Sequence, residues 1–260
     1  MPRVGQVLDT HAPVPDRSVG DEDSASRPVV AFFDLDNTLL RGASIYHLGR
    51  GARHLGVMKL RDVVKFAWHQ ARFIAVGENR RHMHSVRERA LHLIRGHREQ
   101  ELTDLTIEVY DRFIAPRLWP GSVDLVQDHL RRGHEVWLIT ATPTAVAKVI
   151  ADRIGATGAL GTEIEVDNGR FTGRVVGPLM HGPHKVAAAS ELMRRLGAEP
   201  ADCWAYSDSR NDIPLMQSVG HRVAVNPDAG LRHHARNHGW ATVAFSARKL
   251  WGRPTSCPVS

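Results

Sequence analysis

Val29-Val30-Ala31-Phe32-Phe33-Asp34-Leu35-Asp36-Asn37-Thr38 is the stretch on which the fold of this 260-residue chain turns. Five apolar residues end abruptly in two carboxylates one residue apart, followed by Asn and Thr. A short apolar run bounded by polar residues suits a strand buried on both faces, as in a parallel sheet. Ligands of open α/β sheets sit just beyond the carboxyl ends of such strands. Two acids at that point can bind a divalent cation, or divide into a nucleophile and a proton-transfer group. Taken alone, the same residues also make a strand followed by an Asp-Asn turn. The rest of the chain decides between the two.

Upstream, Met1 to about Arg27 mixes Pro, Asp, Ser and Gly without periodicity, which predicts a disordered tail over residues 1–27. Downstream, Val63, Val64, Ala67, Trp68, Ala71, Ile74 and Ala75 recur at helical spacing among basic residues. Gly77 and Gly96 are expected breaks between helices. With no strand pattern in between, residues 42–118 are expected to form a helical domain inserted into an α/β core made of 28–41 and 119–247.

Pro120-Gly121 marks the return to alternation. A helix is expected from Val123 to Arg132, ended by Gly133. A second buried strand, Val136 to Ile139, is expected to end at Thr140. Thr142-Pro143 then reads as an N-cap and first helical residue, opening a helix to about Ile154. Glu163 to Val166 and Arg170 to Val175 have period two and flank Asn168-Gly169, a hairpin signal. Gly182-Pro183 precedes a helix from about His184 to Leu196. A third buried strand, Cys203 to Tyr206, runs into Ser207-Asp208-Ser209-Arg210-Asn211-Asp212 and a short helix over Ile213 to Ser218. A fourth strand covers Arg222 to Val225, a helix Asp228 to His238, and a last strand Ala241 to Phe245. Residues 248–260 are expected to be a C-terminal tail. The alternation predicts an α/β fold with a doubly wound, mostly parallel sheet.

Composition narrows the function classes. Apolar content of 42% with 24% charged residues is that of an ordinary globular protein. No apolar run approaches the roughly 20 residues needed to span a bilayer. The N-terminus has no apolar core for secretion, so a cytoplasmic location is expected. Cys203 and Cys257 make neither a disulfide framework nor a zinc site, and Cys203 reads as a small core residue. Between Arg41 and Arg117 there are 15 Lys/Arg and 8 Asp/Glu, a difference of +7 against +6 for the whole chain. The expected insert therefore carries all the excess positive charge, which attracts anions of any kind. No nucleic-acid recognition motif accompanies it, and no nucleic acid is expected to bind.

Four chemically competent groups fall at corresponding places. Asp34 and Asp36 follow the first strand, Thr140 the second, and Asp208, Asn211 and Asp212 the third, while Lys185 opens a helix. Parallel neighbouring strands would bring the strand-end groups to one edge of the sheet. Several carboxylates crowded there repel unless a cation sits among them. Oxygen donors without Cys or His suit Mg²⁺ rather than zinc. Each residue also has a local reading: Thr140 as a satisfied strand-end hydroxyl, Lys185 as a solvated helix residue, Asp208, Ser209, Asn211 and Asp212 as caps of the short helix.

In order and spacing the set resembles the haloacid dehalogenase superfamily of aspartate-nucleophile phosphohydrolases. Its four motifs correspond to Asp34-Leu35-Asp36-Asn37-Thr38, Thr140, Lys185 and Asp208-Ser209-Arg210-Asn211-Asp212. The helical insert resembles a type 1 cap. With the hairpin before Lys185 and the Asn211-Asp212 ending, it points to the phosphoserine phosphatase-like subfamily IB. The resemblance implies a phosphomonoesterase with a Rossmannoid core and an all-helical cap. Asp34 is implied as the nucleophile that forms an aspartyl-phosphate, and Asp36 as the acid and base. Thr140, Lys185 and Asn211 are implied to bind the phosphoryl group. Mg²⁺ is implied on Asp34, the Asp36 carbonyl and Asp208, with Asp212 orienting bound water.

Departures from that pattern keep the substrate open. Phosphoserine phosphatases usually carry Ser at Asn37, Ser-Gly-Gly at Thr140-Ala141-Thr142 and Gly-Asp-Gly at Ser207-Asp208-Ser209. A small-molecule phosphate ester is the expected partner, with phosphoserine one alternative. The insert is basic and carries a Phe66/Trp68/Phe73 cluster, which could accept a larger or amphipathic ester. A second alternative is an anionic membrane surface met by the segment Leu60 to Val76. Its simpler explanation is a cap helix packing its apolar face inside the insert.

Overall fold

The computed structural model describes residues 27–56 and 94–246. The expected tails, the Phe66/Trp68/Phe73 cluster, the segment 60–76 and Cys257 therefore lie outside the described residues, apart from Arg27 of the first tail.

In chain order the elements are β1 (Val30–Phe33), α1 (Ser44–His54), α2 (Glu99–Val109), α3 (Pro120–Arg131), β2 (Glu135–Pro143), α4 (Thr144–Ile154) and β3 (Gly158–Thr162). They continue with β4 (Ile164–Asp167), β5 (Arg170–Val175), α5 (Pro183–Leu196), β6 (Trp204–Ser207), α6 (Ile213–Gln217), β7 (His221–Val225), α7 (Ala229–Asn237) and β8 (Ala241–Val243). One sheet has the order β3-β2-β1-β6-β7-β8, and every pairing in it is parallel. The chain moves from β1 towards β2 and β3, then crosses back to β6, β7 and β8. Strand order thus reverses at β1, the place where open α/β sheets leave a crevice.

All of β1 is buried because its alternate residues enter two different cores. Val30 and Phe32 pack with Ala189, Leu192 and Met193 of α5 and with Leu215, Met216, Leu231 and Ala235 of α6 and α7. Ala31 and Phe33 face Val126 of α3 and Val146, Ala147 and Ile150 of α4. The sheet is doubly wound, as the alternation predicted. Phe33 stacks on Tyr206 of the neighbouring strand, ring centroids 4.2 Å apart, and Tyr206 hydroxyl pairs with His129 Nε2 of α3 at 2.8 Å. Burial drives His129 down to about 3, so this histidine is neutral in the core.

Between β1 and α3 the described secondary structure is helical apart from single bridging residues. α2 runs into a π-helical turn at Tyr110–Ile114 and a 3₁₀ turn at Ala115–Arg117. The hairpin β4–β5 forms on its Asn168-Gly169 corner, whose φ values of 49° and 75° are those a tight two-residue turn needs. It also docks on the insert. Phe171 donates its N–H to His97 O at 2.9 Å and accepts from Gly96 N at 2.8 Å, while Arg170 reaches Gly96 O at 2.7 Å.

Three local expectations are corrected. β2 does not stop at Thr140 but continues to Pro143, because β3, absent from the sequence reading, pairs alongside it as far as Pro143 opposite Thr162. Thr142 consequently lies in the strand, and the N-cap of α4 is Pro143 rather than Thr142. α3 starts at Pro120, three residues before the expected Val123, since proline at a first helical position loses no hydrogen bond. Gly161 makes the β2–β3 approach possible: a Cβ there would lie 2.7 Å from Thr142 O and from Thr144 Cα.

Candidate active site

Register places the first acid. Phe33 pairs with Leu138 on one side and Tyr206 on the other, so Asp34 leaves the sheet level with Ser207. Its N–H still bonds to Tyr206 O at 2.9 Å, which fixes the backbone from which the carboxylate projects. The chain then doubles back. Leu35 O accepts from both Leu39 and Leu40 N–H, at 3.0 and 2.9 Å. Asn37 sits at φ 64°, in the left-handed region that Asn tolerates better than most residues. Its Oδ1 accepts from Gly42 N at 3.0 Å, so Asn37 shapes the loop.

Lys185, the third residue of α5, is 3% exposed. Its Nζ donates to Asp34 Oδ1 at 2.6 Å and to Asp212 Oδ2 at 2.7 Å. Ser207 Oγ donates to the same Asp212 oxygen at 2.8 Å and accepts from Ser209 N at 3.1 Å. Thr38 Oγ1 lies between Asp34 Oδ2, at 3.4 Å, and Asp208 Oδ1, at 3.3 Å. The Asp208 loop is tied down from α7, since Asp228 N donates to Asp208 O at 2.7 Å and Asp228 Oδ2 accepts from Arg210 N at 3.0 Å.

Asp34, Asp212 and Lys185 thus meet directly, and Asp208 joins them through Thr38. Thr140 and Asp36 are brought together less directly. Thr140 Oγ1 donates to Thr142 Oγ1 at 3.2 Å, Thr142 Oγ1 pairs with Ser44 Oγ at 2.7 Å, and Ser44 N donates to Asp36 Oδ1 at 2.8 Å. Asn211 lies on the turn between Asp208 and Asp212, its N–H on Ser209 Oγ at 3.2 Å. Sequence reasoning gave no role to Thr38, although it lay in the deciding stretch. It passed over Ser44, read Thr142 as a helix cap and noted Ser207 only as a departure from the fourth motif, since isolated hydroxyls carry no pattern that announces their partners.

Among the described residues, four carboxylates here face one ammonium. Burial pushes Asp34 up to about 7, with Lys185 opposing and Asp212 and Asp36 adding to the rise. Burial and the neighbouring Asp34 push Asp208 up to about 8, and burial raises Asp36 too. For Lys185 burial works against the charge, but Asp34 and Asp212 outweigh it, and the ammonium persists. Such a cluster lacks positive charge. Its donors are all oxygen, which fits a hard divalent cation. Among the described residues no three His, Cys, Asp or Glu side chains make a ready-made cation cage. A Mg²⁺-type ion keeps several of its waters and asks for only one or two carboxylates, and Asp34 and Asp208 are the two that could supply them.

Among the described residues no helix is long and apolar enough to cross a membrane. The model of the haloacid dehalogenase-like hydrolases matches residues 31–217. Phosphoserine phosphatase SerB1 of Mycobacterium tuberculosis is 45% identical over 244 residues, covering 93% of this chain and 79% of that protein. A histidinol-phosphatase of Neisseria meningitidis is 31% identical over 151 residues, 56% of this chain and 68% of its own length. Among solved structures, a protein of unknown function from Bordetella pertussis Tohama I superposes with a TM-score of 0.71 at 30% identity. It covers 84% of this chain and 99% of that one.

Proposed function

The chain belongs to the haloacid dehalogenase-like hydrolase family, and on that premise we propose that it hydrolyses organic phosphate monoesters through a phosphorylated Asp34. The observation that carries the reading is the buried Lys185 ammonium, 2.6 Å from Asp34 and 2.7 Å from Asp212. It sets a fixed positive charge beside a carboxylate at the crevice of the sheet. A carboxylate can approach an anionic phosphoryl group only where positive charge offsets both.

In the first step an Asp34 oxygen bonds to phosphorus as the ester P–O bond breaks, and Asp36 gives its proton to the departing oxygen. In the second, water attacks phosphorus, Asp36 takes the water's proton, and the bond to Asp34 breaks to release inorganic phosphate. Lys185, Thr140 and Asn211 bind the phosphoryl oxygens. The Asp34 carboxylate, the Asp36 carbonyl and Asp208 would hold Mg²⁺, with Asp212 acting through bound water. When bound, the ion supplies charge for the anionic phosphoryl group. Residues 42–118, to which α1 and α2 belong, serve as a cap over this site and supply specificity.

Phosphoserine is the first substrate to test, because the relative named phosphoserine phosphatase SerB1 matches 93% of this chain. The relative named histidinol-phosphatase supports a wider panel. Phosphate release from phosphoserine, histidinol phosphate, choline phosphate, sugar and lipid phosphates and an aryl phosphate would be measured with Mg²⁺ and with a chelator. Turnover with Mg²⁺ and its loss on chelation are expected. Release from none of them, or equal release in chelator, would sink the proposal.

Metal binding also has a stability readout. Asp34 and Asp208, raised in the fold to about 7 and about 8, hold protons that the unfolded chain gives up near 3.8. Their contribution is full at low pH and is lost as pH rises through the folded values, so the metal-free protein should weaken between about pH 5 and about pH 8. Mg²⁺ is expected to raise Tm clearly at about pH 8 and little at about pH 5, where protons compete for the same oxygens. Equal shifts at both would count against these carboxylates as the ligands.

A further inference from the structure

Asp36 has the most unusual surroundings of the four acids. Ser44 opens α1, the first helix of the insert, and gives its backbone N–H to Asp36 Oδ1 at 2.8 Å. The Ser44 hydroxyl is itself held by the Thr142 hydroxyl, Oγ to Oγ1 at 2.7 Å. A serine hydroxyl has one proton to donate. In the 2.7 Å contact between Ser44 and Thr142 either hydroxyl can be the donor. Thr142 Oγ1 in turn accepts from Thr140 Oγ1 at 3.2 Å, and Thr140 Oγ1 accepts from Thr142 N at 3.2 Å. The line runs from Thr140 through the Thr142 and Ser44 hydroxyls, and the Ser44 backbone N–H carries it to Asp36.

All three hydroxyl residues are buried. Hydrogen bonds shielded from water in this way are stiff and reinforce one another. The backbone under Thr142 is fixed as well, by the close approach of Gly161. The line joins two regions distant in sequence, since Ser44 and Thr142 are 98 residues apart.

We propose that Ser44, held by Thr142, is a positioning residue that aims Asp36 at the departing oxygen; the inference rests on the phosphatase reading above. Ser44 touches neither the phosphoryl group nor the nucleophile in this role. It acts by fixing the rotamer of the acid, and because it opens α1, the aim of the acid depends on where the insert sits. A misaimed acid matters most when the leaving group most needs a proton. 4-Nitrophenolate leaves readily unprotonated, whereas phenolate does so far less readily, so a positioning defect has a signature that a general packing defect lacks.

The test compares kcat/KM for 4-nitrophenyl phosphate and phenyl phosphate, using the full chain with Mg²⁺. Ser44→Ala and Thr142→Val are each expected to lower the phenyl phosphate value by about tenfold more than the 4-nitrophenyl phosphate value. Thr142→Ser, which keeps the hydroxyl, is expected to restore the wild-type ratio. An equal loss on both esters, or no loss on either, overturns the proposal. Asp34→Asn in the same assay keeps the two readings apart. Turnover retained there overturns the reading of Asp34 as nucleophile and this inference with it. An inactive Asp34→Asn beside an unchanged ester ratio in the Ser44 and Thr142 variants overturns the positioning role alone.

Discussion

Asp34→Asn is expected to leave a folded protein whose phosphate release falls by about three orders of magnitude or more, the scale on which removal of a covalent nucleophile acts. The amide has nearly the shape of the carboxylate but cannot form the acyl phosphate. Packing gives no reason for collapse. The backbone N–H at this position keeps its bond to Tyr206 O, Lys185 keeps Asp212 at 2.7 Å, and Thr38 can turn its hydroxyl to suit the amide. One of four crowded negative charges is gone. Because burial and its acidic neighbours raise Asp34 to about 7, removing its charge is expected to hold or raise Tm at about pH 8 in metal-free buffer. Loss of turnover with Tm retained would assign the chemistry to this carboxylate. Turnover near the wild-type value would remove Asp34 as nucleophile.

How much of this was legible depended on range. β1 was readable because five apolar residues stop at a carboxylate, and a strand buried on both faces writes itself as such a run. The Asn168-Gly169 corner was readable because a tight turn demands positive φ at both residues. β3 was not. Its Gly158, Ala159 and Gly161 have little strand preference, and what makes it a strand is β2 lying beside it. The same omission misplaced Thr142, since without β3 there was no reason for β2 to run past Thr140.

The site divides in the same way. Motif order put Asp34, Lys185 and Asp212 in one place although 151 residues separate the first two. Chemistry between them was expected, but the split of Lys185 between two carboxylates was not, since a lysine in a helix carries no sign of its partners. Thr38 and Ser207 stand beside acids in the sequence but bond to others across the site, and Thr142 is joined to Ser44 and Asp36 only by the folded backbone. Single hydroxyls have no period and no spacing, so three-dimensional distance is the first signal they give.

Lys185→Met tests the electrostatic centre of the site from the other side. Methionine keeps the length of the side chain and its apolar stem but takes away the ammonium, leaving Asp34 and Asp212 buried together with Ser207 as the donor to Asp212. Breaking a buried ion pair by deleting one partner costs about 3–5 kcal/mol when the orphaned charge remains. Asp34 escapes part of that cost by taking up a proton, which its elevated position near 7 already favours. The loss in urea unfolding is therefore expected to be about 2–3 kcal/mol at about pH 8 and smaller at about pH 5. Turnover should fall at least about a hundredfold, since a fixed charge aimed at the phosphoryl oxygens is lost. Asp212→Asn added to Lys185→Met is expected to recover part of the stability, because it removes an orphaned charge, and none of the turnover. A Lys185→Met protein as stable and as active as the wild type at about pH 8 would mean that the ammonium between Asp34 and Asp212 neither holds the site together nor serves its chemistry.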